Sequence, residues 1–81
     1  MTDELKIALA LVEQVKPVLA GHPAGAQGAA LCNLLALWLA GHAPELREGL
    51  LALHIDMTKH MVPVAEHELF GDAGHPASRV A

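Results

Sequence analysis

Residues 29–41 read "AALCNLLALWLAG", and this run decides the fold. Asn33 is its only polar side chain. At about 1.5 Å per residue a helix over this run is roughly 20 Å long, short of the ~30 Å that a membrane core requires. Leu and Ala favour helix over strand. The run therefore predicts a water-soluble helix, from about Pro23 to Ala40, that is apolar on every side. Leu31, Leu34 and Trp38 share one direction, and Ala29, Asn33, Ala36 and Ala40 share the opposite one. A helix apolar all round calls for burial.

The flanking segments predict two more helices. "TDELKIALALVEQVKPVLAG" opens with Thr2 as a cap, and Asp3 and Glu4 suit the positive end of a helix dipole. At ~100° per residue, Leu5, Ala8, Val12, Val15 and Leu19 form one stripe and Ile7, Leu11 and Val18 a second. Pro17 is expected to kink the last turn of this helix, which spans about 3–20. The third helix starts at "APELRE", with Pro44 in first position, and runs to about residue 70. Its seam is Leu46, Leu50, Leu53, Met57, Met61 and Val64, beside a weaker stripe of Leu51, Ile55, Val62 and Leu69. Pro63 is expected to kink or divide it, into 44–61 and 63–70. Residues 72–81 carry no apolar periodicity and read as a flexible tail.

"LAGH" occurs at 19–22 and again at 39–42, and "GHPA" at 21–24 and 74–77. A Gly after an apolar helical run serves as a left-handed stop, and a Pro soon after starts the next helix. The repeat is thus read as helix punctuation. Aligned at an offset of twenty, Asn33 meets Leu53 and Gly25 meets Glu45, so no solenoid is implied.

Composition bounds the function. With 81 residues the chain is one small domain, and 53% apolar content excludes a disordered chain. Five basic against nine acidic residues, with no basic cluster, argue against nucleic acid and against an anionic membrane surface. A single cysteine, Cys32, permits no intrachain disulfide, and "MTDELK" lacks the positive charge of a signal peptide, so a reducing, cytoplasmic setting is expected. Cys32 lies in the apolar helix, where a thiol acts as a small hydrophobe.

Catalytic and metal motifs are sparse. Among six histidines, Asp56, His60 and His67 share a stripe on helix three; Asp56 and His60, four apart, are the only weak candidates for a shared ion. His60 and His67 are about 10 Å apart along the axis, too far for one ion. There is no Glu-x-x-His, no His-Glu-x-x-His and no zinc-spaced Cys/His cluster. "GHPAGAQG" has no Lys and follows no strand, so it is no phosphate loop. No cofactor and no catalytic residue is expected, and no family signature appears.

The expected architecture is all-α: a small antiparallel bundle of three helices assembled as a homodimer. Two neighbouring helices each cover an arc on the order of 100° of helix two, leaving roughly a third wet in a monomer. Soluble monomers seldom show such patches, and cores this small are marginal alone. The expected interface is the stripe Ala29, Asn33, Ala36 and Ala40, where small residues allow close approach and the Asn amide fixes register. The function this implies is a homodimeric protein-interaction or regulatory module. The rivals are a small-ligand or metal sensor on the His-rich side of helix three, a site formed across the dimer by Asp56, His60 and Glu66, and a subunit of an unidentified protein partner.

Overall fold

The computed structural model describes residues 2–79. Among these it contains three α-helices, α1 (Asp3–Leu19), α2 (Ala24–Ala40) and α3 (Pro44–Phe70), then a short 3-10 helix (Pro76–Arg79), and no strand. The chain divides into two compact units, Met1–Leu37 and Trp38–Ala81. None of the described helices is long and apolar enough to cross a membrane.

In the first unit, Thr2 is extended (φ −69°, ψ 157°) and its Oγ1 accepts the Leu5 N–H at 3.2 Å, capping α1 as the sequence predicts. Asp3 and Glu4 occupy the first turn and Lys16 the last, each at the dipole end of opposite sign. α1 leaves through a β-turn in which the His22 N–H reaches the Leu19 carbonyl at 3.3 Å. Ala20 at φ −59°, ψ 140° and Gly21 at φ +82° are the central residues of a type II turn, whose third position demands a positive φ. The left-handed stop expected at Gly21 is thereby present. Gln27, three residues into α2, then donates its Nε2 to the Leu19 carbonyl at 2.7 Å.

The second unit repeats this closure with stronger chemistry. The His42 N–H reaches the Leu39 carbonyl at 3.0 Å. Arg47 occupies the place of Gln27 at the twenty-residue offset. Its Nε donates to the carbonyls of Leu39 and His42, both at 3.1 Å, and its Nη2 to that of Ala40 at 2.9 Å. These carbonyls have no partner within α2, and the guanidinium fork supplies several from one side chain.

Both internal prolines are accommodated. α1 continues past Pro17, and α3 runs unbroken from Pro44 to Phe70 through Pro63, so the expected division at that residue does not occur. Pro63 removes one backbone donor, but residues 55–65 are all exposed, so water reaches the Lys59 carbonyl left without its partner.

No described residue is buried, and α2 contains only Gln27, Leu35 and Leu39 as half-buried positions. Cys32, expected to sit among apolar neighbours, is exposed.

If Arg47 closes its turn through three charge-assisted bonds, its loss should exceed that of Gln27. Arg47→Ala is expected to cost about 2–3 kcal/mol, Arg47→Gln less, and Gln27→Ala about 1 kcal/mol, ranked by urea denaturation followed by circular dichroism.

Candidate functional site

The four interface positions expected from the sequence, Ala29, Asn33, Ala36 and Ala40, are all exposed along α2. They lie on the arc opposite Leu31 and Leu34, as 100° spacing requires.

Leu31 and Leu34 border a groove within the first unit. Its other wall is Leu11, Val12, Val15, Leu19 and the stem of Lys16 on α1, and its volume is about 340 Å³. Close to the turn, Val18, Leu19 and His22 meet Ala26, Gln27 and Ala30 around a second hollow of about 280 Å³. Both hollows are lined from α1 and the first part of α2. Leu31 and Leu34 remain 52% and 56% exposed, which leaves the groove's mouth apolar and open.

In the second unit Trp38 stands between two imidazoles, with ring centroids 4.6 Å from His42 and 4.7 Å from His54, both edge-on. The Nδ1 atoms of His42, His54 and His60 lie 2.8, 2.7 and 2.8 Å from the carbonyls of Trp38, Leu50 and Asp56. A carbonyl oxygen can only accept, so Nδ1 carries the proton in each. This places the weak metal candidates Asp56 and His60. Their side chains approach to 3.7 Å, and Nδ1 of His60 is bonded to the Asp56 carbonyl. His67, on the same stripe, pairs instead with Asp72 at 3.3 Å beyond the end of the helix. Among the described residues no three His, Cys, Asp or Glu side chains gather in a way that would hold a metal ion.

Residues 71–79, read from the sequence as part of a tail, fold back on the end of α3; residues 80 and 81 lie outside the described residues. Gly71 (φ +73°) turns the chain, its N–H bonded to the His67 carbonyl at 2.8 Å. The half-buried Glu66 then accepts the His75 N–H through Oε2 at 2.9 Å. Gly74 passes so close that a Cβ there would stand 2.8 Å from the same oxygen, at a φ of +74°. Nδ1 of His75 accepts the Ala77 N–H at 3.0 Å, the opposite tautomer to the other three rings, and Ser78 Oγ donates to the His75 carbonyl at 2.6 Å. Phe70 meets the His75 ring edge-on at 5.0 Å. With Val62, Ala65 and Leu69 these residues line an open hollow of about 260 Å³.

Sequence reasoning missed Arg47 and the Glu66–His75 contact. The signal for Arg47 was available: it follows its "LAGH" by the same interval as Gln27. Glu66 and His75 offered only the repeated "GH", with nothing to show that the chain returns.

Comparison with family models, with curated proteins and with solved structures finds no match to this chain.

Gly74→Ala should destabilise the C-terminal turn by at least about 1 kcal/mol, because it meets both a positive φ and the Glu66 carboxylate. Glu66→Ala should remove hydrogen-exchange protection at the His75 amide, whereas Glu66→Gln, which keeps an acceptor, should preserve it.

Proposed function

We propose that this chain is a non-enzymatic association module that works as a homodimer. The observation that carries the reading is the complete lack of buried residues among those described, in a chain that is 53% apolar.

A second copy is the simplest source of cover, and two-fold symmetry the commonest arrangement. In this reading the antiparallel packing expected of the three helices is completed between copies, and α2 contributes to the shared core. The module's role is regulatory or adaptor-like. No observation favours the rival metal or ligand sensor at Asp56 and His60.

Sedimentation equilibrium tests the reading. A dimer is expected at micromolar concentration, with a Tm that rises as the protein is concentrated, because association then contributes to stability. A tightly folded single copy at millimolar concentration would refute it.

A further inference from the structure

We draw no further inference here: the strongest candidate, the open apolar groove lined by Leu11, Val12, Val15, Leu31 and Leu34 between α1 and α2, carries none, since nothing in the structure shows what covers it.

Discussion

Each of the two interhelical turns depends on what happens to a leucine carbonyl at the end of a helix. A helix leaves its last carbonyls without internal partners. At Leu19 and Leu39 the closing amide of the turn, from His22 or His42, takes part of that acceptor capacity. The rest goes to a long donor side chain from the first turn of the following helix, Gln27 or Arg47. This bond joins the end of one helix to the start of the next, and so constrains the direction in which the second helix leaves. The two turns differ in strength: an amide supplies one bond at Leu19, while a guanidinium reaches three carbonyls around Ala40. The repeated "LAGH" is therefore half of a two-part device, and its second half lies five residues after the histidine.

That division explains what was legible in the sequence. Thr2, Asp3, Gly21 and Pro44 each act on backbone within about four residues of themselves, so their residue types alone locate helix ends. Gln27 and Arg47 act across eight residues and differ in charge and shape. They share only the property of being long donors, which an alignment by identity does not reveal. Pro63 is a partial case: the local rule offers a kink or a division, and α3 runs undivided from Pro44 to Phe70.

Asp56 and His60, four apart on α3, approach to 3.7 Å as their spacing implies, while His67 on the same stripe reaches Asp72 past Gly71. A helical wheel cannot see the chain's return after the last turn. The same return unites Glu66 with the His75 amide and sets Gly74 at a positive φ with the Glu66 carboxylate beside it. Six histidines in 81 residues thus look like chemistry by composition, while in the described contacts several of them serve as donors and acceptors for main chain.

The hydrophobic pattern poses the opposite case, because the apolar run is legible from residue types alone, whereas its cover, on the homodimer proposal, comes from a second copy. Short aliphatic helices gain their stability from tertiary packing more than from intrinsic propensity. Turn closure orients such helices but removes little apolar area from water, since the groups it engages are polar. With no described side chain buried, the hydrophobic term that ordinarily offsets conformational entropy is largely unrealised in the free chain. A protein whose turns are well made and whose helices remain greasy on the outside has its geometry defined before its core is complete. On the homodimer proposal, the surface that completes the fold and the surface that performs the association are one.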